Sequence, residues 1–262
     1  MDSTTQVLTT LIVLTALVVS VVGAQFARRR RSFNPLREIP AYTVTPRLVG
    51  QAVEAGRRIQ FSSGSAALGG ATTVLALAST EMLYQVAART AVAGDPPLAV
   101  TGELGTLPLI MGTLRSAYRN ANHLERYTPT AARWVPSSSL AMIAALTADI
   151  GDERVTSGVY VGEFNSALAL PLEAISRRRG ISIAGSTSLD GLAVAYAMAD
   201  EALLGEEIFA AGAYLGDSPA HNAGVLTMDV LRWLVVLGLL ASAAVSLRVP
   251  LAEGLSRLGG GG

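Results

Sequence analysis

The chain has 262 residues, half of them apolar, and its 20 arginines balance 20 acidic residues, so that the formal net charge is zero. A neutral chain argues against nucleic acid as a partner, because proteins that bind nucleic acid carry a basic surface. The sequence holds no cysteine and no lysine. This excludes disulfides, thiol catalysis, cysteine-zinc sites and the lysine-dependent chemistry of P-loops and Schiff bases.

An uncharged apolar segment, QVLTTLIVLTALVVSVVGAQFA, occupies residues 6–27. At 1.5 Å per residue it is long enough to cross a hydrocarbon core of ~30 Å, so we predict a transmembrane helix here. A signal peptide would carry positive charge before its apolar stretch, whereas here Asp2 precedes the segment and arginines follow it. By the positive-inside rule, the N-terminus lies outside and the bulk of the chain lies in the cytoplasm. The residues that set this topology, and that could also contact lipid, are Arg28, Arg29, Arg30 and Arg31.

A second apolar segment, with the core WLVVLGLLASAAVSL, is predicted to span the membrane over residues 230–249. Trp233 fits an interfacial anchor at its start. The alternative is a buried amphipathic helix. Neither apolar segment has an acid or a base at its centre, which argues against a channel or transporter. Residues 250–262 are then a flexible tail.

Residues 28–57 form a basic, proline-containing connector. Because Pro35, Pro40 and Pro46 interrupt it, no long helix is expected before Pro46, and a short helix is expected after it. A cytoplasmic α/β domain is predicted to follow over residues 58–217.

Within this domain, short apolar runs alternate with longer segments of helical spacing. The predicted strands are residues 58–62, 98–101, 133–135, 159–161, 181–184 and 203–204. The helices between them are predicted at residues 72–93, 103–122, 140–148, 164–179, from 186 onward, and at 206–215. Such alternation predicts a parallel sheet with helical crossovers. We therefore predict a Rossmann-like three-layer α/β domain with a mostly parallel sheet of five or six short strands, flanked by N- and C-terminal transmembrane helices.

Three apolar runs in this domain end in Gly-Glu, and in a parallel sheet these joins share one edge. One explanation is structural: glycine permits the turn, and glutamate complements the partial positive charge of a helix N-terminus. The other is functional, because α/β proteins bind ligands at this edge. The candidate ligand-binding residues are Gly102, Glu103, Gly162, Glu163, Gly185, Ser186, Gly205 and Glu206, with Ser63 and Gly64.

Ser63 and Gly64 belong to the loop SSGSAALGG at residues 62–70. This loop follows a strand and precedes a helix, so its amides could hold an anion. It lacks both the GxGxxG and the GK[ST] patterns. The alternative is a close-packed loop in a protein rich in alanine and glycine.

No catalytic residue, metal site or cofactor is predicted. His123 and His221 are the two histidines and are far apart in sequence, and no GxSxG motif is present. Residues 177–179, three arginines at a predicted helix end, are expected to complement the helix dipole, and they could contact anionic lipid. The glycine-containing stretch 202–219 is expected to pack tightly or contact another subunit, and to couple the domain to the membrane.

Four stretches carry a resemblance to a known family: DPPLAVTGE, GVYVGEFNSALAL, ISIAGSTSLDGL and LLGEEIFAAGAYL. They cover most of residues 95–215. In their order the chain resembles a bacterial membrane family known only as a domain of unknown function. The resemblance implies the same flanked α/β arrangement, in a bacterial plasma (inner) membrane, and it supplies no activity.

Two functions are therefore expected as alternatives. The first is a non-enzymatic scaffold or assembly protein, anchored in the lipid bilayer, that self-associates or joins a membrane protein complex. The second is a domain, binding or enzymatic, that takes a small molecule or nucleotide at the Gly-Glu edge. A deep pocket containing Glu103 and Glu163 would favour the second function, and a flat or filled edge would favour the first.

Overall fold

The computed structural model describes residues 37–216, except 93, 94, 137–139 and 153. It also describes parts of the two chain ends, at residues 6, 7, 10, 13–15, 17–19, 21, 22, 224, 228, 230 and 232–240. The chain divides into two compact units. One is Pro35–Asp217, and the other comprises residues 1–34 and 218–262.

The described residues of the two chain ends are helical, and most of their apolar side chains are exposed, with Trp233 at 66%. Across all described residues, the structure contains no helix of the length and apolarity that a membrane crossing requires. The transmembrane helices predicted at 6–27 and 230–249 are therefore not confirmed. Parts of both segments lie outside the described residues, as do Arg28–Arg31 and the tail at 250–262.

A parallel sheet organises the unit Pro35–Asp217, as predicted. The described residues form six strands: β1 Arg58–Gly64, β2 Leu98–Thr101, β3 Ala132–Trp134, β4 Val155–Glu163, β5 Ser182–Ser186 and β6 Glu201–Ala202. All neighbouring strands pair in parallel, in the order β3-β2-β1-β4-β5-β6. This is the Rossmann order, in which two halves diverge from a central pair of strands. The last strand lies two residues before the predicted 203–204.

Helices cover both faces of this sheet. In the described range they are α1 Pro40–Glu54, α2 Thr73–Thr90, α3 Leu107–Asn120, α4 Ala141–Asp152, α5 Ala169–Arg177, α6 Leu189–Met198 and α7 Ala211–Leu215. Right-handed crossovers place α2 and α3 on one face and α5 and α6 on the other, because the two halves of the sheet extend in opposite directions. Accordingly, α1, α2, α3 and α7 pack together, and α4, α5 and α6 pack together.

The helix α1 corrects one prediction. It begins at Pro40 and continues through Pro46, so the expectation of no long helix before Pro46 is wrong. Pro40 suits the first helical turn, where an amide is not needed, whereas an interior proline costs about 3 kcal/mol. Burial of Tyr42, Leu48 and Val49 against the domain offsets that cost, at roughly 1.5–3 kcal/mol for each large apolar side chain.

The two central strands share a buried polar pair. The Tyr160 hydroxyl on β4 donates to Gln60 Oε1 on β1 at 2.6 Å, and Gln60 Nε2 donates to the carbonyl of Leu146 on α4 at 3.1 Å. Burial raises the pKa of Tyr160, and nearby Asp149 adds to the effect. The pair thereby fixes α4 on the centre of the sheet through groups that stay neutral.

Candidate functional site

Successive strands are added on one side of β1 up to β3 and on the other side from β4 onward, so the switch point lies between β1 and β4. Proteins of this α/β order bind ligands outside the carboxyl ends of such strands. Gly64 of β1 aligns with Glu163 of β4 and also with Thr101 of β2. The structure therefore brings together the candidate residues Ser63, Gly64, Gly162 and Glu163.

The backbones of β1 and β4 lie in direct contact at their carboxyl ends, which leaves no gap for a ligand between them. Gly64 has φ +61°, and a Cβ on it would overlap the carbonyl of Glu163. A Cβ on Gly162 would overlap the carbonyl of Ser63. The Ser65 amide donates to the Glu163 carbonyl at 3.0 Å. These two glycines are thus required by the approach of one strand end to the other.

Most amides of the predicted anion loop already have partners within the loop, at a strand end or at the start of the next helix. Those of Gly64, Ala67, Gly69 and Gly70 donate to side-chain oxygens at 2.9–3.1 Å, and that of Ala66 donates to a carbonyl at 3.2 Å. A phosphate loop needs amides that point at the ligand. The arrangement therefore matches the close-packed alternative.

The three glutamates of the Gly-Glu joins do not converge. Glu163 Oε2 accepts from the Ser65 hydroxyl at 3.3 Å, and the Glu103 amide donates to Thr101 Oγ1 at 3.2 Å. Glu206 is exposed beyond β6. With about 4.8 Å between neighbouring strands, the ends of β2 and β4 lie about 10 Å apart, and those of β2 and β6 about 19 Å apart. One small ligand would not contact all three carboxylates.

The remaining candidates have structural partners. The buried Ser186 hydroxyl accepts from the amides of Phe164 and Ser188 at 3.1 and 3.2 Å, and donates to the Phe164 carbonyl at 3.0 Å. Gly185 faces Leu203 and leaves no room for a side chain. Gly205 has φ +56° in open surroundings and serves the turn after β6.

A feature that the sequence reasoning missed is a set of exposed leucines at this carboxyl edge. Each lies between the end of one strand and the first turn of the next helix, so the topology places all of them on one edge. We call them the leucine edge: Leu68, Leu104, Leu140, Leu170, Leu189 and Leu204, with exposed fractions from 39% at Leu68 to 82% at Leu189. The sequence carried part of the signal, since Leu104, Leu140 and Leu189 stand at the starts of predicted helices, whereas Leu204 was placed in the predicted last strand.

Both ends of the unit Pro35–Asp217 meet in a second feature that sequence reasoning missed. Arg37 pairs with Glu207, and the Tyr42 hydroxyl donates to the Glu207 carbonyl at 2.5 Å. Tyr214 stacks on Tyr42, with ring centroids 5.1 Å apart, and its hydroxyl donates to the Arg37 carbonyl at 2.5 Å. Burial raises the pKa of Tyr42, and the charge of Glu207 adds to the effect. We call these four residues the terminal clasp.

The helix α7, in the stretch 202–219, packs tightly, which matches the first of the two alternatives expected there; residues 217–219 lie outside the described residues. Residues Ala211, Gly212 and Ala213 of α7 are buried. Arg89 of α2 donates to the carbonyl of Leu215 at 2.7 Å. The small residues of this stretch therefore serve contacts within the unit.

Metal-binding side chains are not clustered in the part of the chain that the structure describes, where no group of three or more histidine, cysteine, aspartate or glutamate residues could hold a metal ion. His123 Nδ1 lies 3.2 Å from Glu125 Oε1, and His221 lies outside the described residues.

The chain belongs to the DUF6754 family. The family is described as a domain of unknown function, and its model matches residues 2–252, which includes the α/β unit and most of both chain ends. The resemblance to a family of unknown function is thereby confirmed, whereas its bacterial and membrane aspects stay predictions. No curated protein and no solved structure matches the chain.

Proposed function

We propose that this protein is a membrane-anchored scaffold or assembly protein that is not an enzyme and that associates with copies of itself through the leucine edge. Its α/β unit lies on the cytoplasmic side of a bacterial plasma (inner) membrane in this proposal. The observation that carries it is the state of the carboxyl edge, which is closed where this fold usually binds ligands and is apolar where it meets solvent.

The closed switch point supports a role without a ligand. Gly64 and Gly162 bring the ends of β1 and β4 into backbone contact, and the loop amides are used internally. The carboxylates of the Gly-Glu joins are spread along the edge. Each join is then a strand-to-helix turn, and among the described residues of this edge no set of catalytic groups is assembled.

The leucine edge supports association. Exposed apolar side chains are unremarkable when scattered, but a set on one edge marks an interaction surface. Complete burial of one exposed leucine contributes roughly 1.5–3 kcal/mol. Partial burial of six leucines from each copy is therefore comparable with the ~4–15 kcal/mol lost in translational and rotational freedom on association.

The membrane anchor rests on the two apolar segments, residues 6–27 and 230–249, and on the arginines after the first. The terminal clasp supports the pairing of these anchors. It holds Arg37 beside Tyr214, so the chain enters and leaves the α/β unit at one place. A unit attached in this way suits two anchors in one bilayer.

Native mass spectrometry of the full chain in nanodiscs tests the function, under conditions gentle enough to keep bound small molecules. A defined oligomer without added small-molecule mass is the expected result. A monomer that retains a metabolite would overturn the proposal and favour a ligand site at the Gly-Glu edge, where Glu103 and Glu163 would be the first residues to substitute.

A matched pair of variants tests the surface. Substitution of Leu104, Leu189 and Leu204 by serine should shift the oligomer to monomer at the same protein concentration. The control replaces Val92, Leu124 and Met198 by serine. These are also exposed apolar residues, but Val92 and Leu124 follow a helix and Met198 ends α6, so they lie at the opposite edge. Equal dissociation of both variants, or of neither, would contradict association through the leucine edge.

Orientation is tested separately. A reporter enzyme that works only in the cytoplasm, inserted in the turn at residues 121–123 after α3, should be active. Activity there from a reporter that requires the periplasm, and not from the cytoplasmic one, would reverse the topology.

A further inference from the structure

The opposite, amino edge of the sheet contains a cavity of about 340 Å³. Its volume is in the range of small-ligand sites in proteins. The described residues that line it are Ala55, Gly56, Arg57, Gly151, Arg154 and Arg178. Three of these carry a guanidinium, and none of them carries a carboxylate.

Topology explains why the three arginines meet. Each lies in a segment that leads from a helix into the next strand: Arg57 before β1, Arg154 before β4 and Arg178 before β5. These three strands are neighbours in the sheet. Since the amino ends of parallel strands share one edge, residues 97 and 24 positions apart in sequence become neighbours around one cavity.

Local contacts hold the three turns in place. The amide of Arg58 donates to the Arg154 carbonyl at 3.4 Å, which joins the first turn to the second. Gly180 lies against the carbonyl of Thr156, where a Cβ would overlap it, and this joins the third turn to the start of β4. The cavity is thus bounded by backbone that the fold fixes.

Helix-dipole complementation does not account for this convergence. An arginine near a helix C-terminus interacts favourably with its carbonyls, but only within the last turn and from any side of the helix. At α1 those carbonyls already have partners, because the amides of Gly56 and Arg57 donate to Val53 and Ala52 at 3.1 and 2.9 Å. Like charges around one cavity repel, and an anion bound among the three guanidiniums would turn this repulsion into attraction.

We propose that this cavity binds a phosphate-bearing anion. Guanidinium groups present fixed forks of N–H donors that match phosphate oxygens. All three arginines are exposed, so a ligand can reach them from solvent. Of the acidic residues near them in the chain, Glu54 and Asp152 are exposed and outside the lining, and Glu153 lies outside the described residues. The phosphate belongs either to a soluble metabolite or to a lipid headgroup. The site is separate from the leucine edge and does not depend on the scaffold function.

The experiment uses the full chain in phosphatidylcholine nanodiscs, titrated with pyrophosphate by calorimetry at low ionic strength. A second arm compares hydrogen exchange of the three turns in these nanodiscs and in nanodiscs that contain phosphatidic acid. The test variant is R57Q/R154Q/R178Q, and the control R47Q/R115Q/R119Q removes the same charge from exposed positions elsewhere. The variant R57K/R154K/R178K keeps the charge and guards against loss through misfolding.

For a soluble ligand, we expect pyrophosphate binding to weaken at least about tenfold in the glutamine test variant. The same binding should be partly retained in the lysine variant and unchanged in the control. Protection of the turns by phosphatidic acid alone, with the same dependence on the variants, would support a lipid headgroup. Binding in neither arm, or equal loss in the control, would overturn the proposal.

Discussion

The two edges of one sheet differ in what they show in sequence and in structure. The carboxyl edge carries repeated Gly-Glu joins that are visible in the sequence, yet backbone contacts close it at the switch point. The amino edge carries no repeated motif, and only the arginine run at 177–179 stood out there in the sequence, yet three arginines from distant segments line one cavity. A short repeated motif can therefore mark the way a chain turns, whereas a charged site can be assembled by topology alone.

The largest expected effect lies at the closed carboxyl edge. Gly162→Ala should lower the free energy of unfolding by roughly 3 kcal/mol, because its Cβ would overlap the backbone of Ser63 and neither strand can move away. Urea unfolding followed by circular dichroism measures it. Gly105→Ala is the control, since an added Cβ there meets nothing within 4 Å. Equal stability of the two variants would mean that the edge is open.

A second test concerns the hydroxyl that joins β5 to the chain after β4. Ser186→Ala should cost about 2 kcal/mol, because it leaves the buried amide of Phe164 without its acceptor. The exposed Ser176→Ala on α5 should change the unfolding midpoint little. If Ser186→Ala left the free energy of unfolding unchanged, the structural role of Ser186 would be contradicted, and it would again be a candidate ligand-binding residue.

A third test concerns the buried hydroxyl of Tyr42 in the terminal clasp. Burial raises the pKa of Tyr42 in the folded state, so the protonated phenol stabilises the fold. This contribution to the free energy of unfolding is complete below the unfolded pKa of about 10 and is lost progressively as the pH rises above it. The stability advantage of the native chain over Tyr42→Phe should therefore shrink above pH ~10, by up to about 1.4 kcal/mol per pH unit. Parallel unfolding curves of the two proteins from pH 9 to 11 check this. A constant difference would place Tyr42 in contact with water.

The smallest effect is expected at the amino edge, and it has the opposite sign. Arg179 has φ +56°, so Arg179→Gly should raise stability by about 1 kcal/mol. It is outside the cavity lining, so anion binding should be unchanged. Arg177→Gly, at the last residue of α5, should instead destabilise, because glycine weakens the helix and the pair with Glu173 is lost. Stabilisation by both variants would contradict the helix end seen here.

Local pattern predicted the strands and helices well where each element is locally consistent. The strand at residues 98–101 was predicted with its observed bounds. The strand β4 was predicted as three residues, 159–161, but has nine. In the structure Gly158 lies in the strand and makes room for the ring of Tyr160. The need for glycine at this position follows from the tertiary packing of Tyr160, which local sequence does not show.

The sites could be predicted only as far as the strand order allowed. Ser63, Gly64, Gly162 and Glu163 do meet, as a parallel sheet requires. The separation of Glu103 from Glu206 follows from the places of β2 and β6 in the sheet, and the convergence of the arginines follows from the adjacency of β1, β4 and β5. Both arrangements depend on which strands are neighbours, and hydrophobic periodicity within a short window of sequence carries no information on strand order.

The terminal clasp has a mechanical consequence. It joins residues 37 and 42 to residues 207 and 214. Force that pulls the two ends of the unit apart is therefore borne first by one ion pair, two hydrogen bonds and one ring stack, before it reaches the sheet. We expect these few contacts to break at a lower force than the strand pairs and to reform when the force is removed, so that the six strands keep their register.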